Sequence, residues 1–161
     1  MGRVKIGFGG GCHWCTETVF DILRGVEKVE QGWISAKEDE SFSEGVIVHF
    51  DPETIGLDLL IEIHLQTHNA TSMHSMRQKY RSAIYTFDEV QYKNAMKILD
   101  AKRALFDKPL ITKVYTFAAF KQNDDRYLRY YKKYADRPFC VNYIEPKRQF
   151  LKSRYAQWLK H

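Results

Sequence analysis

The sequence predicts an α+β fold with one open sheet covered by helices, on three observations. Short apolar strands alternate with amphipathic helices along the chain, for which one sheet with helices laid on it is the economical packing. The strands are too few and too short for a doubly wound fold. The 161 residues fit a single domain, 1–161, that can bury a core without disulfides or metals.

Val4 to Phe8 is a short, largely apolar run and reads as the first strand; Gly9, Gly10 and Gly11 follow it, then Cys12, His13, Trp14 and Cys15. Thr18 to Leu23 continues as a helix, which Gly25 ends. Val26 to Ile34 reads as a second strand and Lys37 to Ser43 as a polar, acidic connection. Val46 to Phe50 is β-branched and aromatic, a third strand stopped by Asp51-Pro52. Leu57, Leu59, Leu60, Ile63 and Leu65 supply the apolar face of a helix, and His68 to Lys79 is a loop. Ser82 to Tyr85 is a short strand. Asp88 caps a long helix carrying Val90, Met96, Ile98, Leu99 and Leu105, and Pro109 stops that region. Ile111 to Phe117 reads as the last strand, Asp124 to Tyr134 as a helix, and Ile144 to Trp158 as a basic segment that is helical after Pro146.

Cys12 has the surroundings of a reactive thiol, with a glycine turn before it and a helix after it. Glycines let the backbone turn tightly and approach a ligand, and a helix N-terminus favours an anion, so the thiolate is expected to be stabilised there. A compact buried core cysteine is the other reading of the same residue. Three cysteines are too few for a secreted disulfide framework, and a Cys-x-x-Cys pair points to redox or metal chemistry. No stretch approaches a membrane span and no signal-like block opens the chain, so a soluble, cytoplasmic protein is expected. The net charge is +5, with much of the excess between Lys121 and Lys160, where basic residues interleave with tyrosines and phenylalanines. That is a footprint of single-strand nucleic-acid binding, but helices that bury tyrosine rings and extend lysine stems give the same pattern, and the second reading is favoured. Gly7-x-Gly9 begins a dinucleotide-binding pattern that fails where Cys12 holds the third glycine position.

Several segments together resemble the peptide methionine sulfoxide reductase A family. They are Gly9-Gly10-Gly11-Cys12-His13-Trp14-Cys15-Thr16-Glu17, Ser43 to Pro52 with Glu44 inside it, Gln78-Lys79-Tyr80-Arg81-Ser82-Ala83-Ile84-Tyr85, Arg137-Pro138-Phe139-Cys140 and Ile144-Glu145-Pro146-Lys147. Their order and rough spacing match from about residue 4 to 155. The resemblance implies a ferredoxin-like core sheet covered by helices, with an irregular C-terminal segment. It also implies thiol-dependent reduction of methionine-S-sulfoxide, free or in proteins, to methionine.

The chemistry asks for these residue types. A soft nucleophile attacks the sulfoxide sulfur, which suits the Cys12 thiolate. The oxygen leaves only when protonated, so an acid must stand nearby and keep its proton at neutral pH; Glu44 is the candidate, dried by the strand beside it. From the residues alone the favoured reading of Glu44 is a solvated carboxylate in an acidic loop. Tyr80 would donate a hydrogen bond to the sulfoxide oxygen, and Trp14 would offer the substrate methyl group a flat wall. The resemblance then implies a Cys12 sulfenic acid that condenses with a second thiol. Cys140 matches the family's C-terminal resolving cysteine and is favoured; Cys15, a turn from Cys12, is the alternative resolver. Thioredoxin or dithiothreitol would reduce the disulfide, with no bound cofactor and no metal, in a protein expected to act as a monomer.

The departures from the family pattern concern the pocket. His13 stands where phenylalanine is usual, and Trp33 follows Gly32 where a second tyrosine is expected; both are carried as substrate-binding candidates. The connection from Trp33 to Glu44 is shorter than in the family. His13 beside Cys12 could also lower the thiol pKa when protonated. Ser75 occupies the nearest place to an expected aspartate, and Lys79 replaces a glutamine. The reading from another class is a zinc-binding or regulatory module in which Cys12, Cys15 and Cys140 join His13, His68 or His74.

Overall fold

In the computed structural model, residues 3–68, 70–72 and 80–160 are described, and their strands close on themselves. The chain runs β1 (Val4–Gly9), α1 (His13–Asp21), β2 (Val26–Ala36), β3 (Ser43–Phe50), α2 (Leu57–Thr67), β4 (Ala83–Thr86), α3 (Glu89–Lys102) and β5 (Lys113–Gln122). Two further helices follow, α4 (Tyr130–Tyr134) and α5 (Glu145–Arg154), with a π-helical turn over Cys140–Ile144 between them. Strand order around the sheet is β1-β3-β2-β5-β4, and β4 returns to pair with β1. All pairs are antiparallel except β4 with β5, whose parallel pairing needs the crossover that α3 provides.

Closure corrects the expected open sheet, and β5 is its cause. The first half of β5, Lys113 to Thr116, pairs with β4, and the second half, Phe117 to Gln122, pairs with β2. The apolar run ends at Phe117, so periodicity reveals only the first half. A bulge between Ser35 and Ala36 lets the strand pass from one partner to the other. Gly32 permits the close approach, because a Cβ there would lie 1.9 Å from the Lys121 carbonyl oxygen.

The two faces of the sheet are packed differently. Ile6, Phe8, Val46, Val48 and Phe50 face outward onto α1 and α2, where they meet Val19, Phe20, Leu60 and Ile63. The opposite alternation points Ile34, Ile47 and Tyr85 into a smaller inner cluster. Helix α1 is therefore covered on nearly every side, by the sheet and by the C-terminal segment. Leu151 and Tyr155 join the outer core, and Tyr155 donates to Glu62 of α2 at 2.7 Å.

The expected helix over Asp124 to Tyr134 is instead a 3-10 turn at Asp125–Tyr127 and the five-residue α4. Arg129, at φ 54°, breaks it. The basic and aromatic residues of this region meet each other: Arg126 lies over Tyr127, Arg137 over Tyr134 and Arg148 over Tyr131. Among the described residues no helix is long and apolar enough to cross a membrane.

Candidate active site

The site grows from the turn between β1 and α1. Gly10 takes φ +142°, a region that side chains avoid, and a Cβ there would sit 2.5 Å from the His68 ring. This turn delivers Cys12 to the N-cap of α1, partly exposed, with its carbonyl accepting the Thr16 N–H at 3.0 Å. Cys12 opens onto a cavity of about 460 Å³ whose wall includes Cys15, His68, Tyr80, Phe139 and Lys147. Tyr80 is thus where the sequence places it, beside the nucleophile candidate. His74, Ser75 and Lys79 lie outside the described residues.

Cys12 and Cys15 share a hydrogen bond. The Cys15 thiol first, and burial second, push the Cys12 thiol up, while a hydrogen bond with the His13 side chain and one from the Trp14 backbone pull it down. The hydrogen bond from Cys12 in turn lowers Cys15 against its burial. Two thiols that share a proton titrate as a pair, the first ionisation eased and the second opposed. The fold thus eases ionisation at Cys15 and opposes it at Cys12, which corrects the expectation of a Cys12 thiolate stabilised by the helix N-terminus. Lys147 stands beside the pair; burial holds its ammonium below the usual lysine range, and the field of the two sulfurs pulls it back up. The sequence pointed to Lys147 only as part of a motif.

Glu44 is 4% exposed, which removes the solvated-carboxylate reading. Strand β3 starts at Ser43, three residues earlier than the apolar run suggests, so Glu44 lies within the sheet, opposite Trp33 of β2. Its Oε1 accepts the His13 backbone N–H at 3.2 Å and lies 3.2 Å from His13 Nδ1. Cys12, His13 and Glu44 each place a donor atom within 4.8 Å of the other two. Among the described residues this is the one set of three such donors close enough to share a metal ion. Among the described residues the Cys12, Cys15 and Cys140 sulfurs form no such set with His13 or His68. The close trio reads as a hydrogen-bonded site, since the carboxylate already accepts an amide and the far nitrogen of His13 faces an amide of Asn123 at 3.3 Å.

The remaining candidates sit behind this front. His13 is 5% exposed and packs edge-on to Trp33 at 5.1 Å between ring centroids. Trp14 is stacked on Tyr130 at 4.1 Å and on Tyr127 at 5.4 Å, with Phe139 edge-on. His13, Trp14, Trp33 and Glu44 are not among the residues lining the 460 Å³ cavity. Cys140 is fully buried in one cluster with Cys12, Cys15, Trp14 and Phe139, and burial raises its thiol.

Sequence reasoning did not anticipate a buried polar chain behind His13. Asn123 donates to Gln31 Oε1 at 2.6 Å, and Gln31 Nε2 donates to Glu17 Oε1 and to the Tyr127 carbonyl, each at 2.9 Å. The residues are distant in sequence and carry no motif together, so only the closed sheet brings them into line.

The family model described as Peptide methionine sulfoxide reductase matches residues 4–159. A curated relative from Deinococcus radiodurans, Peptide methionine sulfoxide reductase MsrA, is 30% identical over 95% of this chain and 82% of its own length. The MsrA of Sulfolobus acidocaldarius is also 30% identical, over 90% of this chain and 92% of that protein. Among solved structures, the reduced form of Mxr1 from Saccharomyces cerevisiae superposes with a TM-score of 0.76 at 20% identity, covering 86% of this chain and 90% of that one. Methionine sulfoxide reductase A of Corynebacterium diphtheriae gives 0.72 at 23%, covering 82% of this chain and 75% of that one.

Proposed function

The chain belongs to the peptide methionine sulfoxide reductase family, and from that premise we propose that it reduces methionine-S-sulfoxide, free or in proteins, with Cys12 as nucleophile and Glu44 as acid. The observation that carries the residue assignment is a partly exposed cysteine at a helix N-cap, within 4.8 Å of a carboxyl that is 4% exposed. Glu44 is the carboxyl that stands beside Cys12 and can supply the proton the sulfoxide oxygen needs.

The Cys12 sulfur attacks the substrate sulfur as its oxygen is protonated. The sulfur–oxygen bond of the substrate breaks, oxygen ends on Cys12 as a sulfenic acid, and the sulfide, methionine, leaves. The thiol proton of Cys12 balances the one Glu44 gives up. Tyr80 on the cavity wall is positioned to donate to the oxygen as charge develops on it. Cys140 then attacks the Cys12 sulfenic acid, releasing water and closing a disulfide, with Cys15 as the alternative partner. Thioredoxin or a similar dithiol returns both sulfurs to thiols and is itself oxidised. Trp14 and Trp33 form the aromatic surround of His13 in this reading. The antiparallel run β4-β1-β3-β2, with α1 and α2 as its crossovers, supports a ferredoxin-like core to which β5 adds closure.

Incubation with each methionine sulfoxide epimer and dithiothreitol tests the proposal. Methionine should form from the S epimer alone; turnover of neither epimer, or of the R epimer, overturns it.

A further inference from the structure

His13 has a polar atom with no use in the fold as such. Its side chain is buried, and Nδ1 makes no hydrogen bond of good geometry although it lies 3.2 Å from Glu44 Oε1. Leaving such a group idle is unfavourable, so its surroundings matter, and they fix which nitrogen carries the hydrogen. The Asp124 backbone N–H, which can only donate, meets Asn123 Oδ1 at 2.8 Å. The other end of that amide, Nδ2, therefore faces both Gln31 Oε1 and His13 Nε2. The Gln31 amide is fixed independently, because its Nε2 meets two acceptors, Glu17 Oε1 and the Tyr127 carbonyl. Asn123 thus donates to His13 Nε2, which must be the bare nitrogen, and the ring hydrogen is on Nδ1. That hydrogen looks toward Glu44 Oε1 and the Cys12 sulfur.

We propose that His13, held as the Nδ1–H tautomer by the Asn123–Gln31–Glu17 chain, is a further catalytic residue that hydrogen-bonds the Cys12 sulfur and Glu44 together. The inference rests on the reductase reading. The His13 backbone N–H already holds Oε1 at 3.2 Å, and the ring Nδ1 lies 3.2 Å from the same oxygen, near enough for its hydrogen to turn onto it as charge develops there. When the Glu44 proton goes to the sulfoxide, the carboxylate left behind gains the Nδ1–H beside the backbone donor it already has on Oε1. Before attack, the same Nδ1–H steadies negative charge on Cys12. His13 therefore acts in the chemical step and not as a wall for the substrate methyl group, which agrees with its place behind the cavity and not on its lining.

The first test needs neither a variant nor turnover. Nitrogen-15 spectra of the wild-type protein should show the His13 ring as the Nδ1–H tautomer, and an Nε2–H tautomer overturns the proposal whatever the enzyme's activity. The second uses single-turnover methionine formation. His13→Phe should slow it about tenfold or more, the scale of one hydrogen bond to a charged group, with KM within about twofold of wild type. His13→Asn, whose amide can donate from a similar place, should recover part of the rate. Asn123→Asp, which reverses the donor, should turn the ring to the Nε2–H tautomer and slow chemistry as His13→Phe does. A His13→Phe effect confined to KM, or Asn123→Asp chemistry at the wild-type rate with the tautomer reversed, refutes the assignment. Loss of the reductase reading itself would appear differently, as a wild-type protein that turns over no sulfoxide.

Discussion

Replacing Glu44 by glutamine separates the acid's chemistry from its structural duty. The amide has the same shape, and its oxygen can still accept the His13 N–H that now reaches Oε1 at 3.2 Å. The variant should therefore lose no more than about 1 kcal/mol of stability, the worth of one hydrogen bond. Glutamine cannot release a proton in its place. Loss of a positioned acid slows a reaction by about 10²-fold or more, equivalent to roughly 2.7 kcal/mol at 1.36 kcal/mol per factor of ten. Single-turnover methionine formation without added reductant reads the chemical step, and urea unfolding reads the stability. The expected pattern is a rate at least about 100-fold down with a transition close to wild type. A Glu44→Gln rate within about threefold of wild type would show that the proton comes from elsewhere.

Cys12→Ser should abolish reduction even with dithiothreitol, whereas Cys140→Ser should keep dithiothreitol-driven turnover and lose thioredoxin-driven recycling; if Cys15→Ser shows the second pattern and Cys140→Ser does not, Cys15 is the resolver. Gly10→Ala should destabilise the protein by about 1–2 kcal/mol or more and lower Cys12 alkylation by iodoacetamide, because φ +142° and the His68 ring both oppose a Cβ; an unchanged melting temperature would contradict it. The Tyr131 hydroxyl first, then Gln149 and Arg148, hold the Glu145 carboxyl down at about 2 from the usual 4.5. A lowered native value means stability that is present above pH 4.5 and lost as pH falls toward 2. Glu145→Gln should accordingly lower Tm at pH 7, by an amount that shrinks as both proteins are taken toward pH 2; a difference that persists there would sink the argument.

Where a segment's fate is decided by its own residues, the sequence was legible. Asp88 caps α3 as read, accepting the Gln91 N–H at 2.7 Å, and the alternation of Val46 to Phe50 places Val46, Val48 and Phe50 on one face. The β1 strand and the Cys12 turn were visible for the same reason. What escaped was set by partners far along the chain. The polar second half of β5 is a strand because β2 pairs with it, and Glu44 is buried because Trp33 lies opposite. Arg129 takes a left-handed conformation that no local composition announces. His13 was conspicuous as a departure from the family pattern, but its sequence neighbours suggested a pocket wall. Its orientation depends on Asn123, 110 positions away.

Closure of the sheet bears on the company such a protein keeps. Proteins with oxidised methionines lose core packing and expose strand-forming segments, and a sheet with open edges would offer them a template for aggregation. Here the ring closes through β4, which pairs with β1 at three positions, and β5 meets β2 only from Gly32 to Ala36, so Val26 to Gln31 keep an edge that β5 does not cover. Where β4 runs out, the Gln91 side chain of α3 donates to the Lys5 carbonyl at 2.9 Å and occupies the start of β1. Glu27, Lys28 and Glu30 charge the uncovered stretch of β2, so the sheet guards itself in two ways, by closure where β4 and β5 pair and by charge where they do not.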